Sequence, residues 1–455
     1  MNIYLHIEVA AREFDSKLLL ATLAAARGHQ VILSDLDGII QGIRKKILAP
    51  GIFHTKSITP SKQKISTLQL AIDNGFKVSS IDEETGFVDS DYNEFALERF
   101  SEQTVDQASA VLTWGDTDAE VLKRIYPNHS FKIHKTGSPR VDLWGSLFSQ
   151  YWTVPQKIPK RPFLLISSNF SNTTKHFHQE FKGINIAGYF KRNPNRLKNF
   201  FGRTAEDYNN TAAFIEAIKH LSKYNNGYDI VLRPHPIESI ETWNMFLEGI
   251  PNVHVIREGP ITPWIKSSFA MMHNGCTTAL EGIVSKKPVV TYVPFPTYYK
   301  GELPNKLGQR VESVEKLSHA VNTIFDKMKS NNQEGKNKTI PEILSKKLYI
   351  DNNELAALKI IKVWEKLNNK ELSQITNWNK FHKLLKIIKF RGILRNLIKN
   401  LYPYRYVNEV DVKKFSPEDI QDFQERANRL QNILGIDKKL EYKSLSDRTI
   451  LVRRL

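Results

Sequence analysis

Short apolar runs alternate with helical patterns along the first part of the chain. Residues 3–9 predict a strand, residues 16–27 a helix that stops at Gly28, and residues 31–34 a second strand. Helical periodicity at 68–75 and 93–108 separates further strand-length runs at 49–53, 77–81, 110–113 and 131–136. This order of elements is typical of a parallel sheet covered by helices.

The same alternation begins afresh at residues 163–168. Strands are predicted next at 230–233, 253–256, 269–273 and 288–292, with helices at 205–224, 242–248 and 277–285. Two consecutive α/β series predict two Rossmann-like domains facing one cleft. We place the domains at 1–160 and 161–369, because the segment 154–162 is rich in proline and lysine. Residues 370–455 form a basic helical extension, and the polar insert 175–203 has the character of a lid, an acceptor-binding element or a plain surface excursion.

Composition excludes several classes of protein. The chain has 455 residues, enough for two or three domains with ample cores. Its single cysteine, Cys276, excludes an intrachain disulfide framework and fits a reducing compartment. No run of 18 apolar residues is present, and residues 1–8 have a strand pattern with an early acid instead of a signal peptide. We therefore expect a cytoplasmic protein.

The net charge of +17 is concentrated in part in residues 380–405, which hold eight basic residues and no acidic one. A helical wheel places Phe381, Leu384, Leu385 and Ile388 on one face; Ile387 and Phe390 break this stripe, which restarts after Gly392 with Leu394, Leu397, Ile398 and Leu401. Such a segment predicts an interfacial helix on anionic lipid, and hence a peripheral position on the inner face of the cell membrane. The alternative is a surface helix packed on the core with a solvated basic face.

Two strand ends in the second half carry the residue types that bind phosphate. The first delivers Arg233 and His235 between two prolines that stiffen the turn, so that either side chain can donate to a phosphate oxygen. An exposed turn with an incidental histidine is the alternative. Ser168 and Asn169 follow the first strand of this half, where they can close over a phosphate or sugar, or form ordinary turns.

The second strand end leads into a predicted helix start. His273, Asn274 and Gly275 precede a helix expected to begin at Thr277, whose free N–H groups and dipole favour an anion. The hydroxyls of Thr277 and Thr278 add donors, and Glu281 lies one turn later, where it can accept from ribose hydroxyls. A capped helix with Glu281 as a satisfied structural acid is the alternative.

Candidate acids lie in the first half. Asp82, Glu83 and Glu84 follow a strand, and repulsion among clustered carboxylates raises at least one pKa, which suits a general base. An acidic loop in water is the alternative. Flanking residues that can line the same cleft are Glu8, Arg12, Lys17, Arg140 and Asp142. The last two can instead pair with each other and rigidify the hinge.

Together these motifs resemble the bacterial surface carbohydrate biosynthesis proteins, which are GT-B-type glycosyltransferases related to capsule and lipopolysaccharide assembly. The matching pieces are Glu8 with Arg12, 17–21, 82–84, 137–142, 233–236 and 273–278. Bacterial sialyl-, polysialyl- and Kdo-transferases are similar in having an acidic pair before a glycine and a His-Pro that contacts the phosphate of a CMP-sugar. Thr85 departs from that pattern by separating the acids from Gly86.

The resemblance implies a metal-independent glycosyltransferase without a cofactor. It moves a sugar from a nucleotide donor, best CMP-linked, to a surface polysaccharide or lipopolysaccharide acceptor. His235 would hold the donor phosphate, Thr277 and Thr278 would help it, and Glu83 or Glu84 would be the base. Three alternatives stay open: a nucleotide-sugar epimerase, a polyol-phosphate transferase that uses CDP-glycerol, and a basic nucleic-acid-binding protein, although no nucleic-acid motif accompanies the charge.

Overall fold

The computed structural model describes residues 1–88, 92–170, 173, 194–236, 238–297, 302–330, 340–351, 353–367, 376–401 and 422–455. These residues form two compact units, Met1–Tyr151 with Glu342–Leu455, and Trp152–Pro341. The expected ranges 1–160, 161–369 and 370–455 follow the chain in order, whereas the first unit takes in residues from both ends of the chain. Trp364 is one reason, because its Nε1 donates to Oγ of Ser79 in the first unit at 2.8 Å.

The first unit is built on an eight-stranded sheet. Its strands are β1 Asn2–His6, β2 Gln30–Ser34, β3 Ile52–Thr55, β4 Lys77–Ile81, β5 Ala110–Thr113, β6 Ile133–Lys135, β13 Leu440–Ser446 and β14 Thr449–Arg454. They lie in the order β13-β14-β2-β1-β3-β4-β5-β6, with β1 to β6 parallel. The hairpin β13–β14 joins antiparallel to β2. The C-terminal region is therefore not a helical extension alone, since it completes this sheet.

Helices cover both faces of the first sheet. They are α1 Ala10–Ala26, α2 Leu36–Arg44, α3 Lys62–Asp73, α4 Tyr92–Arg99, α5 Glu102–Gln107, α6 Asp116–Ile125, α7 Pro139–Trp144, α14 Glu342–Lys347, α15 Ala356–Leu367, α16 Trp378–Leu401 and α17 Phe423–Ile433. Strands β1, β3 and β5 are buried along their whole length, as parallel strands between two helix layers are, although they include the buried polar residues Asn2, His6 and His54.

The second unit is a six-stranded parallel sheet with strands β7 Phe163–Ser167, β8 Asp229–Arg233, β9 Val253–Val255, β10 Ala270–His273, β11 Val289–Tyr292 and β12 Gln309–Val311. Its helices are α8 Pro194–Lys223, α9 Ile240–Phe246, α10 Thr262–Ser267, α11 Thr278–Val284, α12 Glu302–Asn305 and α13 Val314–Lys329. The strand order β12-β11-β10-β7-β8-β9 is that of the doubly wound nucleotide-binding fold. The predicted α/β architecture with two Rossmann-like sheets is thus confirmed, while the cleft stays a prediction.

The basic helix α16 is only partly as expected. Phe381, Leu384 and Leu385 are buried in the core of the first unit, with Ile388 packed against it. This stripe therefore packs on the core and does not face lipid. For these residues the alternative prediction, a surface helix packed on the core, is confirmed. The reason is that α2 and the C-terminal hairpin leave an apolar surface that this stripe covers, including Ile39, Ile43 and Leu445.

Some sequence-based predictions lie outside the described residues, among them most of the insert 175–203 and the last residues, 402–405, of the basic segment 380–405. Among the helices that the structure does describe, none is both long and apolar enough to cross a bilayer.

Candidate functional site

In the first unit the strand order reverses between β1 and β3, with β2 on one side and β4 on the other. Ligands of open α/β sheets bind beyond the carboxyl ends of the strands at such a reversal. Glu8 follows β1 and Lys56 follows β3, and their side chains form an ion pair across this point. The loop Asp82–Glu84 follows the neighbouring strand β4, so the predicted acids lie at the same edge.

Lys17 and Glu83 form the buried centre of this site. Nζ of Lys17 lies 3.1 Å from Oε1 of Glu83 and 3.1 Å from Nε2 of His54. Since an ammonium only donates, Nε2 accepts, and Nδ1–H of His54 is left to donate to Oγ of Ser79 at 3.2 Å. Burial, followed by the Lys17 charge, holds the pKa of His54 well below its ordinary value, so this imidazole is neutral.

Glu83 is nearly sealed from solvent, with Nη1 of Arg140 3.7 Å from its Oε2. Burial alone would raise the pKa of Glu83, but Lys17 and Arg140 outweigh burial and keep the pKa below its ordinary value. Arg140 itself is fixed by three rings, those of Phe87, Trp114 and Trp144, at 5.2 to 5.7 Å. Glu83 is therefore a buried anion held by two cations.

Asp82 and Glu84 differ in accessibility. Asp82 is buried, and its two carboxylate oxygens accept hydrogen bonds from Nε and Nη2 of Arg99 at 2.8 and 3.0 Å. Burial raises the pKa of Asp82 to about 6. Glu84 has a side chain that is 43% exposed, between Arg12 at 3.8 Å and Arg99 at 3.6 Å. Of the three acids, only Glu84 presents its carboxylate to solvent.

Asp142 makes its hydrogen bonds with a helix start and not with the acidic loop 82–84. Its two oxygens accept from the backbone N–H groups of Ala356 and Ala357, both at 3.0 Å, and so cap helix α15. Both oxygens of Asp142 thus serve the helix start, whereas Arg140 contacts Glu83 and the three aromatic rings.

In the second unit the strand order reverses between β7 and β10. The loops that follow these two strands touch, because Nδ2 of Asn169 donates to the carbonyl of Gly275 at 3.1 Å. Glu238 joins the loop after β8 to the same place. Its carboxylate accepts from Oγ of Ser168, from N of Phe170, and from N of His235 at 3.0 Å. Three of the predicted segments therefore meet at one edge of the sheet.

His235 is half-buried on the loop after β8. Nη1 of Arg257 donates to the carbonyls of His235, Pro236 and Glu238, and these hydrogen bonds fix the conformation of the loop. Arg233 has a different position from the one expected. Its guanidinium donates to the carbonyls of Glu258 and Gly259 at 2.8 and 2.9 Å and is buried over the ring of Trp264. Arg233 thus holds the following loop, and its predicted role in binding an anion stays a prediction.

His273 and Asn274 are wholly buried. Burial lowers the pKa of His273 to about 3, and its Nε2 lies 2.9 Å from Oγ1 of Thr291, so the ring is neutral. Asn274 donates to Oδ1 of Asn210 at 3.0 Å and accepts from Asn305 at 3.3 Å. Oδ1 of Asn305 in turn accepts from N of Gly275 at 2.7 Å. These side-chain amides fix the conformation of the loop after β10, which carries the exposed Thr277.

The helix predicted at 277–285 is shorter in the structure. Helix α11 comprises only Thr278–Val284, preceded by Thr277 without a side-chain cap. Thr277 is exposed, Oγ1 of Thr278 donates to Sγ of Cys276 at 3.1 Å, and Glu281 is buried. Of this segment, Thr277 is the side chain that a ligand at the sheet edge reaches most directly.

Five residues that contact the candidate sites were not predicted: Glu13, His54, Arg99, Glu238 and Asn305. Glu13 is buried, accepts from N of Glu8 at 2.9 Å, and has a pKa raised to about 7 by burial and by the charge of Glu83. Only Glu238 could have been predicted from the sequence, because an acid three residues after His235 is well placed to accept from the N–H groups of the turn. The others depend on contacts between distant parts of the chain.

Neither a protein-family model nor a curated protein sequence matches the chain. Among solved structures, it is similar to S. aureus MnaA in complex with UDP, with 12% identity, 82% of this chain and 99% of that chain covered, and a TM-score of 0.48. It is also similar to a Methanocaldococcus jannaschii UDP-GlcNAc 2-epimerase in complex with UDP-GlcNAc and UDP. The identity is 13%, the match covers 80% of this chain and 100% of that chain, and the TM-score is 0.47.

The wall teichoic acid polymerase TagF gives 12% identity, covering 70% of this chain and 72% of that chain, with a TM-score of 0.40. None of these likenesses assigns an activity or a substrate to the chain.

Proposed function

We propose that the chain is a glycosyltransferase that moves a sugar from a nucleotide donor to a hydroxyl of a surface glycan. The donor phosphate binds at the reversal point of the second sheet, and the acceptor hydroxyl binds at that of the first. The observation that carries the proposal is the contact between Asn169 and Gly275. It closes the β7 and β10 loops on each other at the reversal point, where doubly wound sheets bind nucleotides.

Side chains of the second unit support binding of an anion at this point. His235 lies on the loop after β8 and Thr277 on the loop after β10, the strands whose following loops meet near the Asn169–Gly275 contact. Both retain exposure, whereas Arg233 and His273 are engaged elsewhere. Phosphate binding therefore rests on His235, Thr277 and backbone N–H groups, which stabilise the departing phosphate as charge develops on it.

In the first unit Glu84 is the best candidate for the base. Asp82 is bound in a bidentate pair, and Glu83 is buried between two cations. Glu84 is accessible, and Arg12 and Arg99 orient it without a close hydrogen bond. A carboxylate in that position takes the proton of an acceptor hydroxyl as the hydroxyl attacks the anomeric carbon, and the nucleotide leaves with the bonding electron pair.

Nucleotide binding tests the donor site. We expect CMP, compared with UDP, GDP and CDP by thermal shift and titration calorimetry, to bind most tightly and to stabilise the protein. His235→Ala is expected to weaken that binding about tenfold or more, through loss of one charge-assisted hydrogen bond. His319→Ala, which removes an exposed histidine of the same unit, is the matched control. Equal shifts with all four nucleotides, or unchanged binding in His235→Ala, would refute the donor assignment.

Transfer itself tests the base. Glu84→Gln is expected to abolish sugar transfer to a glycan acceptor and to leave nucleotide binding and the melting temperature unchanged. Glu83→Gln is expected to lower the melting temperature, because it leaves Lys17 buried without its partner. Full transfer activity in Glu84→Gln would remove Glu84 from the reaction.

A nucleotide-sugar epimerase is the second candidate, and one observation favours it. Glu13 and Glu83 are neighbouring carboxyl groups whose pKa values are moved in opposite directions, to about 7 for Glu13 and below the ordinary value for Glu83. Such a pair supplies one protonated and one ionised group, as proton removal and return at carbon requires; because both groups are buried, this function additionally requires that the sugar gain access to them. Incubation of the protein with UDP-GlcNAc in D₂O distinguishes the two functions, since only an epimerase of this type introduces deuterium into the sugar.

A further inference from the structure

Helix α16 has a second apolar face that the described residues of the first unit do not cover. Its residues are large and apolar, and each is between 42% and 63% exposed: Ile387, Phe390, Ile393, Leu394, Leu397 and Ile398. We call these six residues the distal face. From Lys389 to Ile398 every residue whose side chain is described is exposed, so this stretch of about 15 Å extends beyond the core.

The distal face is on the opposite side of the helix from the stripe that packs on the core. Phe381 and Phe390 are separated by nine residues, or about two and a half turns, which puts them on opposite sides of the axis. Leu394 and Leu397 follow Phe390 at spacings of four and seven and share its side. Ile387 and Phe390, which interrupt the core-facing stripe, therefore belong to this other face.

The charged residues that α16 itself places beside the distal face are all basic, although Nζ of Lys389 also lies 3.7 Å from Oδ2 of Asp447 on the C-terminal hairpin. Lys389 and Arg391 lie to either side of it on the helical wheel, and Lys383 and Lys386 lie on the same side of the helix one or two turns earlier. No acidic residue occurs between Lys380 and Arg405. Long basic side chains beside an apolar strip place their charges at the level of phosphate headgroups while the strip enters the acyl boundary.

We propose that the distal face of α16 docks the protein on an anionic lipid surface, with the helix lying in the plane of the interface. A free helical stretch of this length is marginal in water, and six exposed large apolar side chains on one face exceed what a solvated helix carries. The core-facing stripe of Phe381, Leu384 and Leu385 anchors the helix, so that docking holds the first unit at the surface.

Other occupants fit the charge pattern less well. A second copy of α16 would bring basic flanks against basic flanks, without acids to pair with them. A nucleic acid would need the basic groups at the centre of the contact, where the distal face instead has isoleucine, leucine and phenylalanine. An anionic lipid surface satisfies both the apolar centre and the basic edges.

Co-sedimentation of the full chain with phosphatidylcholine vesicles, with and without phosphatidylglycerol, tests the proposal. We expect binding to the anionic vesicles alone. Phe390→Ser with Leu394→Ser and Leu397→Ser is expected to lower the binding constant roughly tenfold or more. These side chains are already exposed, so folding is unaffected. The matched control is Leu97→Ser with Phe131→Ser and Met245→Ser, three exposed apolar residues elsewhere, which should bind as the unmodified chain does.

A site-specific probe checks the orientation of the helix. Leu394→Cys labelled with an environment-sensitive fluorophore should shift to the blue on anionic vesicles, whereas labelled Leu97→Cys should not; the native Cys276 is buried. The proposal is overturned if neutral and anionic vesicles bind equally or if the triple serine variant binds normally. It is also overturned if that variant abolishes self-association of the vesicle-free protein, or if duplex DNA shifts the probe as the vesicles do.

Discussion

Nζ of Lys17 lies 3.1 Å from Oε1 of Glu83, and the side chains of both are almost completely shielded from water. Two groups from distant parts of the chain, helix α1 and the loop after β4, are thus joined by a buried ion pair. Arg140 and His54 complete the surroundings of the pair. Removing charges from water is costly, so such a pair is stable only while each partner has the other.

We expect Lys17→Met to lower the free energy of unfolding by about 3–5 kcal/mol, because Glu83 is then a buried anion with weaker compensation. The double variant with Glu83→Gln should recover part of that loss, and denaturant unfolding of the four proteins of the cycle measures the coupling. Lys45→Met, at an exposed position of the same unit, should change stability by less than about 0.5 kcal/mol. Additive losses in the double variant would contradict a direct pair.

Glu13 gives stability a pH dependence of definite sign. Its pKa rises from 4.5 when unfolded to about 7 when folded, so between these values the folded state binds more protons than the unfolded state. Stability contributed by Glu13 is therefore present below pH 4.5, falls as pH rises through this window, and is absent above pH 7. For Glu83, whose pKa is lowered, the sign is opposite and the window lies below 4.5.

Glu13→Gln should accordingly flatten the stability profile between pH 4.5 and 7 and raise stability at pH 8, by the order of 1–3 kcal/mol. Asp82 and Asp118 have raised pKa values of the same sign, so the difference between variant and unmodified protein is the quantity to measure. Thermal unfolding across this pH range measures it. Glu120→Gln, at an exposed position, should leave the profile unchanged, and an unchanged profile in Glu13→Gln would contradict the assignment.

Much of the fold is readable from local patterns. Strands β4 and β5 begin and end where predicted. β5 is a nearly continuous apolar segment between polar turns, as a strand buried on both faces commonly is, whereas β4 also contains Lys77, Ser79 and Ser80. Strands β13 and β14 were not predicted. Residues 440–446 are a mixed polar sequence, and the hairpin is fixed by pairing of β14 with β2, more than 400 residues away.

The sequence predicts where the candidate sites lie in the fold, but it does not predict which hydrogen bonds their side chains make. Asp82–Glu84 and Arg233–His235 meet the sheet edges because the carboxyl ends of parallel strands lie together. Whether a side chain at such an end faces a ligand depends on the loop around it. Arg233 turns to the carbonyls of Glu258 and Gly259, which no pattern near residue 233 indicates.

Asp142 illustrates the same limit and leads to a third prediction. Because it caps helix α15, Asp142→Ala should lower the free energy of unfolding by about 0.5–2 kcal/mol, whereas Asp142→Asn, which retains an acceptor, should lose less. Denaturant unfolding measures both. Transfer activity per folded molecule should be the same in both variants. Loss of activity in Asp142→Asn with full stability would instead place this residue at the acceptor.

Glu238 carries the last prediction, because it joins the loops after β7 and β8 and helix α9 at the candidate donor site without facing solvent. Its carboxylate accepts from Ser168, Phe170, His235 and Trp243, and burial raises its pKa despite these four donors. Glu238→Gln replaces one acceptor oxygen by an NH₂ group that faces these donors. We expect it to lower stability by about 1–3 kcal/mol and to weaken nucleotide binding by displacing the His235 loop.

Titration of the nucleotide into Glu238→Gln, alongside Glu241→Gln three residues later, separates a positioning role from a structural one. Glu241 is exposed and accepts from Ser239, so its variant should bind as the unmodified protein does. If Glu238 acts by placing His235, combining Glu238→Gln with His235→Ala should weaken binding little further than His235→Ala alone. Fully additive losses in that double variant would show that the two residues act independently, and the loops after β7 and β8 would then not form one site.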